Sequence, residues 1–166
     1  MNEPTLEVVW FLASRRIAVV GVSRQSNQPA NAIYRKLRDS GHEVFAVNPR
    51  AHSVEGARCY SDLASIPGGV EAVVVVTPPD ASAGVVREAA DLGVRHIWLH
   101  RAVGEGSVSD EAVEAGCERG LEVIVGGCPL MFVEPVDLAH RCLRWWLVRT
   151  GKLDGVVSIT EDVDAA

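Results

Sequence analysis

The sequence contains fewer basic than acidic residues, and this balance limits the kinds of molecule that the protein can bind. Sixteen lysine and arginine residues stand against 22 aspartate and glutamate residues in a chain of 166, which gives a formal net charge of -6 and an isoelectric point near 5.3. General binding to nucleic acid needs a basic surface that meets the phosphates. The composition therefore argues against a nucleic-acid-binding protein.

Long apolar runs, an export signal and closely spaced cysteines are also lacking. No apolar run reaches the ~20 residues that span a bilayer, and Glu3 and Glu7 stand where a signal peptide would carry positive charge. The cysteines do not show the Cys-x-x-Cys spacing of a structural zinc site; they are Cys59, Cys117, Cys128 and Cys142. We therefore expect a cytoplasmic protein with reduced cysteines, no membrane segment and no metal site.

What the sequence does contain is a series of short apolar runs that alternate with stretches of helical periodicity. The first run, Ile17–Gly21, is unbroken, as expected for a parallel strand that is covered on both faces. Further strands are predicted at 44–47, 72–76, 96–99 and 122–125, and helices at about 30–40, 81–92 and 109–119. This alternation predicts an α/β, Rossmann-like, doubly wound fold: a mostly parallel five-stranded sheet of order 3-2-1-4-5 with helices on both faces.

The segments that flank and connect this pattern are predicted as follows. Thr5 is placed to cap a helix over 6–14 whose apolar face is Leu6, Val9, Trp10 and Ala13. Residues 59–63 are predicted to form an irregular connection. A last helix over about 136–150, which carries Trp145 and Trp146, is expected to cover core. We expect one domain over 1–153, followed by an acidic, flexible tail over 154–166.

The polar loop after the first strand is the strongest candidate for a ligand site. Gly21 permits a sharp turn and a close approach of ligand to backbone. The helix that follows presents unpaired N–H groups and the positive end of its dipole, which is a combination typical of phosphate binding. Parallel strands end at one rim of the sheet, so the loops near 48–51, 77–80, 100–104 and 126–129 are expected beside it.

This loop departs from the dinucleotide fingerprint Gly-x-Gly-x-x-Gly. Ser23 and Ser26 occupy the second and third glycine positions, and a side chain at the second position keeps a pyrophosphate away from the backbone. The second strand ends in Asn48-Pro49-Arg50, without the acid that would hold a ribose diol. A guanidinium there suits a phosphorylated ribose, which occurs in NADP at the 2′ position and in coenzyme A at the 3′ position. Arg50 alone does not separate these ligands; the lack of length for a hydride-transfer domain favours coenzyme A.

Five motifs in a fixed order carry a family resemblance. They are Ile17-Ala18-Val19-Val20-Gly21-Val22-Ser23, Val47-Asn48-Pro49-Arg50, Val75-Val76-Thr77-Pro78-Pro79, Ile97-Trp98-Leu99-His100 and Gly127-Cys128-Pro129. Over about residues 6–134 the sequence resembles the small bacterial CoA-binding proteins, stand-alone relatives of the CoA-binding domain of the succinyl-CoA synthetase α subunit.

The resemblance implies a division of the ligand among the loops. The ADP phosphates would lie on the 21–27 loop, the 3′-phosphate would face Asn48-Pro49-Arg50, Thr77-Pro78 would back the nucleotide, and the end of the fourth strand would lie beside the pantetheine arm. The predicted cofactor-binding residues are Gly21, Val22, Ser23, Arg24, Asn27, Asn48, Pro49, Arg50, Thr77, Pro78, His100 and Arg101. His100-Arg101 replaces an acidic residue of the synthetase domain, and the phosphohistidine domain of the synthetase is absent, so ligase chemistry is not implied.

The expected function is the binding of coenzyme A or an acyl-CoA, without a catalytic residue that we can name. One alternative is an NADP-binding or NADP-sensing protein. Another is an interaction module that docks onto an acyl-CoA enzyme through the helix of Trp145 and Trp146, where an exposed Trp146 would also suit a homodimer. Cys128 at the rim could form a mixed disulfide with a CoA sulfur, although a small buried hydrophobic side chain is the favoured interpretation.

Overall fold

The computed structural model describes residues 4–102 and 106–150. The predicted tail over 154–166, the domain end at 153 and the last part of the 100–104 loop lie outside the described residues.

The described residues form one seven-stranded sheet. Its strands are β1 (Arg16–Val20), β2 (Glu43–Val47), β3 (Ser53–Val54), β4 (Ala57–Tyr60), β5 (Ala72–Val75), β6 (His96–Leu99) and β7 (Glu122–Val125). Their spatial order is β3-β4-β2-β1-β5-β6-β7. Every neighbouring pair is parallel except β3 and β4, which form an antiparallel hairpin at one edge.

Helices cover both faces of this sheet. They are α1 (Leu6–Ala13), α2 (Pro29–Asp39), α3 (Pro79–Asp91), α4 (Asp110–Glu118) and α5 (Leu138–Arg149), with a short 3-10 turn over Pro129–Met131. Residues of α1, α2 and α5 share one hydrophobic cluster with one face of the sheet, and residues of α3 and α4 share a second cluster with the other face. None of the helices in the described part of the chain is long and apolar enough to cross a membrane.

The predicted fold class is confirmed, but the predicted strand count is too low and the order needs correction. The run 72–76 was expected at the edge as strand three, whereas β5 pairs directly with β1. The third place belongs to β4, which pairs with β2 in the segment that we expected to be irregular. Numbered along the chain, the six parallel strands follow the order 3-2-1-4-5-6 of dinucleotide-binding sheets. β4 is not evident in the sequence because it carries the charged Arg58 and only Cys59 in it is buried, so that it forms no apolar run.

The core is organised around β1, whose residues Ile17, Ala18 and Val19 have no exposed surface. On one side of the sheet Trp98 of β6 is also fully buried. Its ring packs edge-on against Phe11 of α1, with 5.3 Å between ring centroids, and its Nε1 donates a hydrogen bond to the Gly126 carbonyl at 2.9 Å. An amphipathic aromatic ring is stable inside only when its N–H has such a partner. Trp98 therefore fixes α1 on the sheet.

The predicted apolar face of α1 is wrong, and α5 covers core as expected but with few of its apolar residues. In α1 the buried residues are Val8 and Phe11, while Leu6, Val9 and Trp10 are exposed by 45% or more. This eight-residue helix is apolar on nearly every side, so its sequence does not single out one face. Thr5 makes no side-chain cap. In α5 only Leu147 is buried, and Leu138, Trp145 and Trp146 lie on the surface.

Gly21 ends β1 in a conformation that only glycine adopts without strain, and its replacement is expected to be costly. Its φ is +105°, and a Cβ at this position would lie 2.1 Å from the Val76 carbonyl oxygen. We expect Gly21→Ala to lower the free energy of unfolding in urea by ~3 kcal/mol, because a strained φ and a backbone collision act together. Gly41→Ala is the matched control, since Gly41 has a φ of +96° but no atom within 4 Å of a built Cβ. Equal losses in the two variants would show that the Val76 contact is not the cause.

Candidate functional site

The carboxyl ends of five parallel strands bring the predicted loops to one rim. Adjacent strands continue their hydrogen-bond ladders just beyond their ends, so that each loop starts beside its neighbour. These bonds join Gly21 N to Val47 O (2.9 Å), Val76 N to Val20 O (2.9 Å), His100 N to Val75 O (3.1 Å) and Gly126 N to Leu99 O (2.9 Å). The loops that carry the predicted site residues therefore lie side by side, as the topology rule requires.

The β1–α2 loop, residues 21–28, is shaped by a buried amide of α2. Asn31 has no exposed surface, and its Oδ1 accepts a hydrogen bond from the Ser23 N–H at 2.9 Å. Its Nδ2 donates to the Ser23 carbonyl at 2.7 Å, and the Ser23 hydroxyl accepts from the Gln25 N–H at 3.1 Å. The amides of Ser23 and Gln25 are thus engaged inside the protein.

Other amides of this loop remain available to a ligand. The N–H groups of Arg24, Ser26 and Asn27 donate no hydrogen bond to any residue in the described ranges, and all three residues are exposed. The helix that follows starts at Pro29, its cap residue Gln28 makes no side-chain cap, and its first turn contains no acidic residue. The loop therefore presents uncompensated donors and the positive end of a helix dipole to solvent, which is an arrangement that stabilises an anion.

Asn48 ties the loop after β2 to the β1–α2 loop. Its Nδ2 donates to the Val22 carbonyl at 2.8 Å, and its Oδ1 accepts from the Arg50 N–H at 2.9 Å. Pro49 and Arg50 are exposed, and the Arg50 guanidinium makes no hydrogen bond or ion pair with a described residue. This part of the rim offers a cation whose donors are open to an external phosphate.

The loop after β5 contributes a second helix start. Thr77 Oγ1 lies 3.1 Å from the hydroxyl oxygen of Ser82, which is fully buried and donates to the Pro78 carbonyl at 3.2 Å. Pro78 is the cap position of α3 and is exposed. These two hydrogen bonds hold the backbone of Thr77 and Pro78 in place at the rim.

The loop after β6 starts with a neutral histidine. His100 is 7% exposed, and burial lowers its pKa from 6.5 to about 4. Near neutral pH its imidazole is therefore uncharged and adds no positive charge to the rim. Arg101 is half-buried and its N–H donates to the Gly127 carbonyl at 3.0 Å, which joins this loop to the loop after β7.

Cys128 is placed as a small buried hydrophobic side chain. It is 3% exposed, and burial raises the pKa of its thiol to about 11. Thiol–disulfide exchange needs a thiolate and access, so the structure favours the buried interpretation over a mixed disulfide with CoA. Among the described residues no three His, Cys, Asp or Glu side chains lie close enough together to hold a metal ion.

Sequence reasoning missed three residues that support the β1–α2 loop. Glu55 Oε1 accepts hydrogen bonds from Asn31 Nδ2 and from Arg35 Nη1, both at 2.7 Å, and Arg35 Nη1 also donates to the Ser26 carbonyl at 3.0 Å. The Asn31 bond and then the bond and charge of Arg35 hold the pKa of Glu55 below its usual value. One signal was present: Asn31 stands at the start of a predicted helix, where an asparagine side chain readily hydrogen-bonds to nearby backbone groups.

The buried, neutral state of His100 predicts a dependence of stability on pH. Below about pH 6.5 the unfolded chain binds a proton that the folded protein resists down to about pH 4, so stability is retained above pH 6.5 and falls between these values. We expect His100→Gln to lose less unfolding free energy than the parent when the pH is lowered through this window, by on the order of 2 kcal/mol. Urea denaturation of both proteins at several pH values measures the difference. Parallel pH profiles would contradict a neutral buried imidazole.

Known proteins of similar sequence and structure include both stand-alone proteins and larger enzymes. The uncharacterized protein YneT of Bacillus subtilis is 30% identical over 69% of this chain and 82% of its own length. Subunit alpha of the ADP-forming acetate–CoA ligase II of Pyrococcus furiosus is 27% identical over 72% of this chain, but the match spans only 28% of that subunit. A hypothetical protein from Pyrococcus horikoshii OT3 superposes with a TM-score of 0.68 at 26% identity, covering 78% of this chain and 94% of the other.

The sequence also matches the model of a known protein family. The model for the CoA binding domain matches residues 15–134, which include all of β1 to β7 and every rim loop described above. The chain belongs to the CoA binding domain family.

Proposed function

We propose that this protein binds coenzyme A or an acyl-CoA at the carboxyl rim of its sheet, without catalysis of its own. Membership of the CoA binding domain family supports CoA as the ligand. The observation that carries the proposal is the pairing of open amides at the start of α2 with an unengaged guanidinium at Arg50, one loop away.

The contacts that we propose follow the order of the loops. The diphosphate lies on Gly21, Val22, Ser23, Arg24 and Asn27, with its hydrogen bonds from the N–H groups of Arg24, Ser26 and Asn27, because these donors are not used inside the protein. The 3′-phosphate faces Asn48, Pro49 and Arg50, where the guanidinium supplies charge. The adenosine rests against Thr77 and Pro78.

The pantetheine arm is assigned to the end of β6, beside His100 and Arg101. The imidazole of His100 is neutral, so Arg101 is the cation of this stretch, whereas the phosphate end of the rim presents both Arg24 and Arg50. That difference suits the uncharged arm of the ligand. Near neutral pH His100 is no imidazolium acid and Cys128 is no thiolate nucleophile, which supports binding without catalysis by these two groups.

A docking role is the second candidate function, and one observation favours it. The side chains of Leu138 and Trp145 on α5 are 74% and 63% exposed, and Trp146 is 46% exposed, although large apolar side chains are normally buried. The match to the ligase subunit alpha covers 72% of this chain but only 28% of that subunit. A protein that supplies a CoA-binding domain to an acyl-CoA enzyme would use such a surface.

Removal of the Arg50 guanidinium is expected to weaken coenzyme A selectively. We expect the parent protein to bind CoA more tightly than 3′-dephospho-CoA, and Arg50→Ala to cost about 1–3 kcal/mol with CoA but little with 3′-dephospho-CoA, since one charge-assisted bond to the 3′-phosphate is lost. Isothermal titration with both ligands measures the effect. Arg38→Ala, an exposed arginine in the last turn of α2, is the matched control and should bind both ligands like the parent.

The same titrations separate the alternatives. Tighter binding of NADP than of CoA would overturn the proposal in favour of an NADP-binding protein. Equal affinities of CoA and 3′-dephospho-CoA would show that Arg50 does not contact the 3′-phosphate. Absence of any nucleotide response, together with a stable complex with an acyl-CoA enzyme, would support the docking role instead.

A further inference from the structure

The β1–α2 loop is held at Ser23 and at Ser26 by hydrogen bonds with side chains of α2. Asn31 binds the backbone of Ser23, and Arg35 binds the carbonyl of Ser26. Both side chains come from α2, and both donate to the same oxygen, Oε1 of Glu55. We call Asn31, Arg35 and Glu55 the loop clamp.

Glu55 is the member of the clamp that comes from outside the loop and its helix. It stands in the two-residue turn between β3 and β4, 24 residues along the chain from Asn31. Its side chain is 11% exposed, so the carboxylate is enclosed between the hairpin and α2 rather than solvated. Two donors, one of them cationic, meet the carboxylate in this position and stabilise its charge.

The backbone of the turn offers no reason for a glutamate. Glu55 has a φ of +50° and Gly56 a φ of +75°, which are the values of a type I′ hairpin turn. Asparagine, aspartate or glycine suits the first position of that turn, and a longer side chain in this region is uncommon. The contact of the carboxylate, rather than the turn, accounts for the residue.

A negative charge near a phosphate site would by itself repel the ligand. In the structure the charge of Glu55 is met by the Arg35 guanidinium, and its oxygen is turned toward α2. The carboxylate thus acts on the loop through other side chains. Its effect is to keep the Asn31 amide oriented so that Ser23 N–H and C=O are both engaged, which leaves the N–H groups of Arg24 and Ser26 for an external anion.

We propose that Glu55 is a positioning residue for the diphosphate of the ligand: the β3–β4 hairpin, through Glu55, holds the β1–α2 loop in its binding conformation. This inference rests on the proposed function and adds to it a residue that does not touch the ligand. It predicts that the effect of Glu55 is confined to the diphosphate, whereas the effect of Arg50 is confined to the 3′-phosphate.

The test compares ligands that contain or lack the diphosphate. We expect Glu55→Ala to weaken CoA and 3′-dephospho-CoA by the same factor, about tenfold, and to leave the weak binding of pantetheine unchanged. Glu55→Gln keeps an acceptor oxygen at the same distance and should recover part of the loss. Glu43→Gln is the matched control, because Glu43 also pairs with an arginine at 2.7 Å but begins β2, at the amino end of the strand and away from the carboxyl rim.

The outcomes separate this inference from the function on which it rests. If the parent protein binds no CoA, the proposed function fails. If the parent binds CoA and Glu55→Ala binds CoA equally well, only the positioning role fails. An equal loss for pantetheine would indicate general unfolding rather than positioning and would also overturn it. Should Glu55→Ala not fold, as judged by circular dichroism, Arg35→Gln removes the Ser26 arm of the clamp and is expected to give the same ligand pattern.

Discussion

The rim of this protein depends on one fully buried amide, the side chain of Asn31. A buried polar group is stable only when its hydrogen bonds are made, and loss of one partner exposes the whole cost of its desolvation. Asn31 meets this condition with three contacts, two on the backbone of Ser23 and one on Glu55. Because every partner belongs to a different part of the chain from α2 itself, the amide fixes the loop, the helix and the hairpin relative to one another.

This arrangement explains how a serine replaces the second glycine of a nucleotide-binding loop. In the usual fingerprint that glycine lets the pyrophosphate approach the backbone directly. Here the Ser23 backbone is turned inward to Asn31, and its hydroxyl accepts from the Gln25 N–H. The donors left outside include the N–H groups of Arg24, Ser26 and Asn27, so the proposed phosphate site is shifted along the loop. Of the three glycine positions of the fingerprint, only the first is still a glycine, Gly21, because the Val76 carbonyl leaves no room there for a Cβ.

The sequence predicts those parts of the structure that a local pattern controls. The runs at 96–99 and 122–125 are unbroken enough to place β6 and β7 at their observed bounds, and the rim position of Thr77 and His100 follows from the parallel topology. β3 and β4 are missed because neither is an apolar run; β4 is held by pairing with β2, and β3 by pairing with β4. The clamp is missed because Glu55 and Asn31 meet only after the hairpin folds back on α2, a contact that no local periodicity records.

A protein with a net charge of -6 can hold a strongly anionic nucleotide only if its positive potential is local. The helix starts show how this is arranged. α4 is capped by the side chain of Ser109, and its first turn contains Asp110 and Glu111. α5 is capped by the side chain of Asp137. The positive ends of these two helix dipoles are therefore compensated within the protein. α2 has neither a side-chain cap nor an acidic first turn. Its dipole and its loop amides therefore retain their attraction for an external anion, and this difference between helices is what would direct the ligand to the proposed site on the β1–α2 loop despite the overall negative charge.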